Sequence, residues 1–352
     1  MNSTLYDEGP SVATDAVREA EALIGTEIDG RYRVDRLLGA GGMGLVYEVT
    51  HTRLGKKLAI KVLRERSTGD SNATARFQRE AESASAIGNA HIVDVTDFGT
   101  LPDGSTYFVM EYLEGVDLIG AMRAEGAMPL ARACGIGIQL CQALSAAHDA
   151  GIVHRDLKPE NVFLVEREGN PDFVKVLDFG IAKVAHSVSR LTREVDFLGT
   201  PHYMSPEQCE GLDIDHRTDI YALGVLLYEM VAARVPHDAD TAMAILHKHV
   251  YERPTPIELY VPHVPLKLKR IIARCLEKKP ERRYPSMRAL HSDLEQLQLD
   301  EGGESPGLIG RLAGRLARRA TASRVSLLVL GAATLALVAV ATESAWSSEP
   351  SE

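Results

Sequence analysis

The chain has 352 residues and a formal net charge of -10, which suits one large globular unit with flanking pieces. Its composition, 45% hydrophobic and 25% charged, can bury a sizeable core, and the acidic balance argues against nucleic acid as the main partner because phosphate backbones want a basic face. Four scattered cysteines, Cys134, Cys141, Cys209 and Cys275, form no CxxC pair and predict thiols in a reducing compartment, not a metal site.

Residues 1–30 carry seven acidic side chains against one base, Arg18. They read as a polar leader with one short helix near 13–24, and the acidic start lacks the apolar stretch of a secretory signal. From Tyr32 onward, short β-branched and apolar runs predict strands over 32–38, 44–51, 57–63, 92–99 and 106–112. A helix over 73–87 falls between the third and fourth strands. After Leu118 the periodicity turns helical, as in 131–150, 219–232 and 266–276. The expected fold is α+β and bilobal: a β-rich small lobe with one main helix, then an α-rich large lobe, together spanning 31–299.

Past Leu299 the composition shifts again. Residues 300–307 form a polar Gly/Ser/Pro linker, and 300–324 as a whole reads as linker plus basic segment. Residues 308–320 place Leu308, Ile309, Leu312, Leu316 and Ala320 on one helical face with arginines opposite. That pattern fits an interfacial helix on anionic lipid or a solvated linker helix equally well. Residues 325–342 are eighteen in a row without a charge, about 27 Å as a helix, close to the hydrocarbon thickness of a bilayer. They predict one C-terminal transmembrane helix, with a buried core helix as the duller alternative. Arg311, Arg315, Arg318, Arg319 and Arg324 lie on its N-terminal side, which places that side in the cytoplasm. A single-pass protein of the cell membrane is therefore expected, leaving 343–352 as an extracytoplasmic tail too short to fold into a sensor.

The first chemical motif is Leu38-Gly39-Ala40-Gly41-Gly42-Met43-Gly44, followed by Leu45 and Val46. A lone GxGxxG is weak, since dinucleotide-binding folds and ordinary turns also use it. Here a strand follows it, as in a hairpin folded over phosphates, where side chains would keep backbone N–H groups from the phosphate oxygens. Val46 is then expected against the adenine ring. Fifteen residues on, Lys61 ends an apolar strand, where an unpaired ammonium is costly. Glu80, in the following helix, is its expected counter-ion, with Glu82 a competing candidate and two unrelated surface charges the bland reading.

The most specific stretch is His154-Arg155-Asp156-Leu157-Lys158-Pro159-Glu160-Asn161, with Asp178-Phe179-Gly180 beginning seventeen residues after Asn161. Phosphoryl transfer from ATP needs charge neutralisation and in-line placement more than covalent chemistry. Asn161 and Asp178 offer hard oxygen ligands suited to Mg2+, with Mn2+ a substitute. Asp156 is left to accept the proton of an attacking hydroxyl, and Lys158 to steady the transferring phosphoryl group. Each motif alone is weak; together, in this order and spacing, they are not a chance pattern.

These motifs resemble a bacterial eukaryotic-type Ser/Thr protein kinase, over about Tyr32 to Leu297. The resemblance implies ATP as cofactor and protein Ser/Thr hydroxyls as acceptors. It makes Met110 the gatekeeper, and Glu111, Tyr112 and Leu113 the hinge that hydrogen-bonds adenine. It pairs Glu207 of Ser205-Pro206-Glu207 with Arg283, and has Asp219 cap the backbone of the catalytic loop. Lys158 and Gly199-Thr200-Pro201 follow the family's Ser/Thr pattern. Arg155, directly before the catalytic Asp156, implies control by phosphorylation of the activation loop, with Thr192 and Ser189 as candidate sites beside Ser187. Glu194 stands where relatives carry a second threonine and is expected to substitute partly for phosphate; Thr192 as an ordinary exposed loop residue remains the alternative. Homodimers through the small lobe are usual in such kinases and stay open here. So do two other functions: a membrane-tethered pseudokinase scaffold, against which Lys61, Asp156 and Asp178 are all present, and a small-molecule kinase, which would lack the Gly-Thr-Pro…Ser-Pro-Glu segment.

Overall fold

A computed structural model describes residues 22–40, 44–63, 71–179 and 201–302. Apart from the last residues of the final helix, they belong to one compact unit, Met1–Leu299. The small lobe is an antiparallel sheet of β1 (Glu27–Ile28), β2 (Tyr32–Ala40), β3 (Gly44–His51), β4 (Lys57–Leu63), β5 (Val95–Thr100) and β6 (Thr106–Glu111), in the order β1-β2-β3-β4-β6-β5. One helix, α1 (Ser71–Ile87), packs on it.

Strand alternation decides what faces the cleft. In β4, Leu58, Ile60 and Val62 join Tyr47, Val49, Tyr107 and Val109 in one core. The intervening Ala59 and Leu63 turn to the other face, with Phe77, Ala81 and Ala84 of α1. Lys61 has the same parity as Ala59 and Leu63 and is thereby aimed at α1. On α1, Phe77, Ala81 and Ala84 recur at helical spacing, and Glu80 lies within that stripe, only 5% exposed.

The large lobe contains α2 (Leu118–Glu125), α3 (Leu130–Asp149), α4 (Pro206–Glu210), α5 (Arg217–Ala232), α6 (Ala242–Tyr251), α7 (Leu266–Cys275) and α8 (Met287–Gly302). It also holds a three-stranded sheet of β7 (Gly115–Asp117), just before α2, with β8 (Val162–Arg167) and β9 (Asn170–Val176), which lie between α3 and α4 in the sequence. Helix α5 is buried almost all round, as expected of a helix at the centre of a core. Gly224 lets it approach α7: a Cβ there would sit 2.4 Å from Cys275 Cβ.

The bilobal α+β expectation is met, with strand and helix ends shifted by a few residues. One shift has a clear cause. The strand expected from 92 begins at Val95, because Val93 N donates to Val176 O and Val176 N donates to His91 O. The stretch is spent on a parallel bridge, Ile92 to Val176, between small lobe and β9. Of the helix expected near 13–24, residues 22–24 form a turn and the rest lie outside the described residues. So do the basic segment, the apolar stretch 325–342 and the tail. Among the described residues, no helix is long and apolar enough to cross a membrane.

Candidate active site

Lys61 Nζ lies 2.7 Å from Glu80 Oε1 and 2.8 Å from Asp178 Oδ1. One ammonium thus joins β4, α1 and the segment after β9. Glu82 instead accepts from Gln78 on the exposed side of α1, which decides between the two glutamates. Burial alone would lower the Lys61 pKa, but Asp178 and Glu80 outweigh it and hold the group charged. Burial would raise Asp178, and the Lys61 ammonium reverses this, holding its carboxyl below the ordinary value. Glu80 is pushed up to about 7, by burial first, with Lys61 opposing and Asp178 adding to it. One ammonium is shared between a buried carboxylate, Glu80, and a partly exposed one, Asp178.

The loop between α3 and β8 is held from beneath. The Asp219 carboxylate, fully buried on the first turn of α5, accepts from His154 N at 2.9 Å, Arg155 N at 2.9 Å and His148 Nε2 at 2.7 Å. Arg155 and Asp178 both adopt left-handed backbone, φ 66° and 49°, conformations uncommon outside glycine that a surrounding network must enforce. His154 Nε2 meets Leu177 O at 3.0 Å and its Nδ1 accepts from Asp156 N, which assigns the proton to Nε2. The His154 ring packs on buried Phe179, 4.8 Å between centroids. Phe179 is thereby turned inward and the neighbouring Asp178 faces the cleft.

Asp156 lies 3.3 Å from Lys158 Nζ, both side chains about one-fifth exposed. Asn161 Nδ2 donates to Asp156 O and Asn161 O accepts from Leu177 N. The two bonds leave Oδ1 of the amide as its remaining acceptor and set Asn161 beside the chain that carries Asp178. An amide oxygen and a partly exposed carboxylate are donors suited to Mg2+, which prefers a few protein oxygens completed by phosphate and water. Among the described residues, no three His, Cys, Asp or Glu side chains form a metal cage.

Val46 and Leu177 pack, partly buried, on the cluster that contains Ala59 and Met110, and Glu111 ends β6 directly after Met110. Leu38, Gly39 and Ala40 end β2, whereas Gly41, Gly42 and Met43 lie outside the described residues, as do Gly180, Ser187, Ser189, Thr192, Glu194 and Thr200. Gly44 has a packing reason the sequence did not disclose: a Cβ would sit 2.4 Å from Val62 O on β4. Sequence reasoning also missed Lys175, whose ammonium meets Glu111 Oε1 at 2.5 Å while Asp94 N donates to the same oxygen. The hinge carboxylate is thus tied to β9. Arg155 Nε is buried without a hydrogen-bond partner among the described residues.

Glu207 and Arg283 form a bidentate pair, 2.7 Å at each arm, nearly closed to solvent. Thr218 Oγ1 also donates to Glu207. It anchors the segment 201–207, where Tyr203 donates to Glu229 at 2.6 Å.

Residues 32–294 match the family model described as protein kinase domain. The chain belongs to the protein kinase family. It is similar to the Ser/Thr-protein kinase pkn3 of Myxococcus xanthus, at 41% identity over 79% of this chain and 52% of that one. It is also similar to PrkC of Bacillus subtilis, at 38% over 78% and 41%, and to PknB of Mycobacterium tuberculosis, at 36% over 81% and 45%. The chain thus spans about half the length of these curated relatives, or less. The PknI kinase domain of Mycobacterium tuberculosis matches in structure with a TM-score of 0.61 at 29% identity, covering 78% of this chain and 98% of that one. The kinship places this kinase domain among the bacterial eukaryotic-type Ser/Thr kinases.

The Glu207–Arg283 pair makes a stability prediction. Burial would raise the Glu207 pKa, but Arg283 holds it below the ordinary 4.5. A depressed carboxyl contributes stability that is complete above its unfolded pKa and is lost as pH falls through the folded one. Glu207→Gln is therefore less stable than wild type by a constant margin at neutral pH, and the gap narrows below about pH 4.5. Arg283→Ala, which strands a buried carboxylate, costs about 3–5 kcal/mol. Urea unfolding across pH measures both; a margin for Glu207→Gln that does not change with pH contradicts the account.

Proposed function

We propose that this kinase domain transfers the ATP γ-phosphoryl group to Ser/Thr hydroxyls of proteins. The observation that carries the reading is Lys61 bonded at once to Glu80 and Asp178, with Asp156 and Lys158 paired at the same cleft. Lys61, held by Glu80, would grip the α- and β-phosphates, with the backbone of 39–44 above them and adenine against Val46 and the hinge 111–113. Asn161 and Asp178 would hold Mg2+, which when bound neutralises charge on the phosphates. Asp156 orients the acceptor hydroxyl and takes its proton, and Lys158 stabilises charge on the moving phosphoryl group. No observation favours a scaffold without catalysis.

The finer proposals concern control and place. Arg155, whose Nε has no partner among the described residues, would receive a phosphate placed on Thr192 or Ser189, with Glu194 supplying part of that charge beforehand. The apolar stretch 325–342 would anchor the chain in the cell membrane with the kinase domain, 31–299, on the cytoplasmic side; 1–30 would be an acidic leader and 300–324 the basic tether.

Full-length chain incubated with Mg-ATP and a generic protein substrate tests the reaction. Wild type should incorporate phosphate on Ser and Thr, in the substrate and at Thr192 or Ser189. Asp156→Asn should lose transfer by about 10²–10⁴-fold while still binding ATP. Transfer unaffected by Asp156→Asn, or phosphate on no hydroxyl, contradicts the reading. Fractionation tests the anchor: the full chain should stay with alkali-washed membranes and a chain ending at 299 should not. Release of the full chain by the wash would sink it.

A further inference from the structure

Lys278, just after α7, lies in a buried polar cluster that phosphoryl transfer does not use. Its ammonium donates to His249 O at 2.7 Å and Lys248 O at 3.3 Å, and meets His237 Nε2 at 3.2 Å. The first two acceptors are carbonyls in the last turn of α6, where Lys248 O also accepts from Glu252 N at 3.0 Å. His237 and His249 are almost wholly buried. Their rings pack edge to face, 4.9 Å apart, and Tyr221 of α5 meets His249 Nδ1 at 2.8 Å. Burial pushes both histidines down to about 3, so His237 is neutral and its Nε2 accepts. The three protons of an ammonium thus face three acceptors, a match that neutral lysine cannot make.

The same stretch of chain also holds the segment 201–207. Arg283 donates to Lys278 O and Glu277 O while it grips Glu207. At the other end of the segment, His202 Nε2 lies 3.3 Å from Asp238, next to His237, and Lys248 donates to Asp238 O. Backbone of 201–207 is therefore held from both ends by one loop of interactions: Glu207, Arg283, the Lys278 backbone, the Lys278 ammonium, then His237 and α6, and back to His202.

Resting on the kinase reading above, and taking 201–207, the part of the Gly-Thr-Pro…Ser-Pro-Glu segment that a small-molecule kinase would lack, as the surface on which an acceptor peptide lies, we infer that Lys278 is a positioning residue for protein-substrate binding: its ammonium ties α6 to the 237–238 turn that holds this platform. ATP, held at the small lobe and hinge, should not sense it. Burial lowers the Lys278 pKa to about 8. The groups around it are Cys209 of α4, Arg283, Glu252 at the end of α6, Lys248, and the neutral His237 and His249. Above that pH one of the three acceptors loses its proton donor and the lock loosens.

The test compares full-length wild type, Lys278→Met and Lys278→Arg for KM of a generic protein substrate and KM of ATP, between about pH 7 and about pH 9.5. Wild-type KM for protein should rise about tenfold across the range, with KM for ATP flat. Arg keeps its charge throughout, so Lys278→Arg should show no such rise. Lys278→Met should show the raised protein KM already at neutral pH. Hydrogen exchange at 201–207 and α6, corrected for its intrinsic pH dependence, should follow the same pattern without needing turnover. An unchanged protein KM in Lys278→Met, or the same alkaline rise in Lys278→Arg, overturns the inference. If Lys278→Met does not fold, the comparison of wild type with Lys278→Arg still decides. Absence of any wild-type turnover, with exchange behaving as described, would overturn the kinase reading and leave the lock standing.

Discussion

One buried ammonium has to satisfy carboxylates from two separate parts of the chain. Lys61 comes from an apolar strand whose alternation leaves it no route to solvent, so it must find charge within the protein. It finds Glu80 on α1 and Asp178 in the segment just after β9. The requirement fixes the rotation of α1, since Glu80 can reach Lys61 only if the Phe77–Ala81–Ala84 stripe faces the sheet. It also fixes the backbone at Asp178, because Phe179 must turn inward for the carboxylate to turn out. A triad with more carboxylate than ammonium is poised to accept further positive charge, which suits a site for a divalent cation and phosphates.

The large lobe answers a second constraint. The catalytic loop carries Arg155 in a left-handed conformation and would relax without support. Asp219 supplies it, with a carboxylate that has no contact with solvent and accepts from two successive backbone N–H groups and His148. Such charge-assisted bonds are stronger than neutral ones. They come from the first turn of α5, the best-buried helix of the lobe, so the loop inherits the rigidity of the core. Glu207 and Arg283 do the same for segment 201–207. Buried ion pairs of this kind add little net stability, but breaking one is costly. They make the arrangement all-or-none.

What could be read in the sequence follows from this. Lys61, Asp156, Asn161 and Asp178 were legible because their chemistry depends on short, fixed spacings. The choice of Glu80 over Glu82 follows from helical periodicity once Phe77 is known to face the core. The Lys175–Glu111 bond was not legible, since 64 residues separate the partners and a lysine in a strand ordinarily points to solvent. Lys278 was hidden for the same reason: it looks like one of several bases in a polar loop, and only its contacts with α6 and the 237–238 turn half-bury it. Gly44 misled in a milder way. The phosphate reading explained a glycine there, yet the Val62 carbonyl already forbids a side chain. Ile92 looked like the start of a strand because a bridge to β9 and a ladder within the small lobe need the same β-branched residues.

The central claim is that Lys61 joins the lobes in a state competent for phosphoryl transfer. It is tested most directly by measuring Mg-ATP affinity and turnover side by side in full-length wild type and Lys61→Met. The account predicts turnover lower by about 10³-fold, the scale of losing one preorganised charge at a transferring phosphoryl group, with folding retained and ATP still bound. Turnover within about tenfold of wild type, little over 1 kcal/mol of barrier, would contradict it.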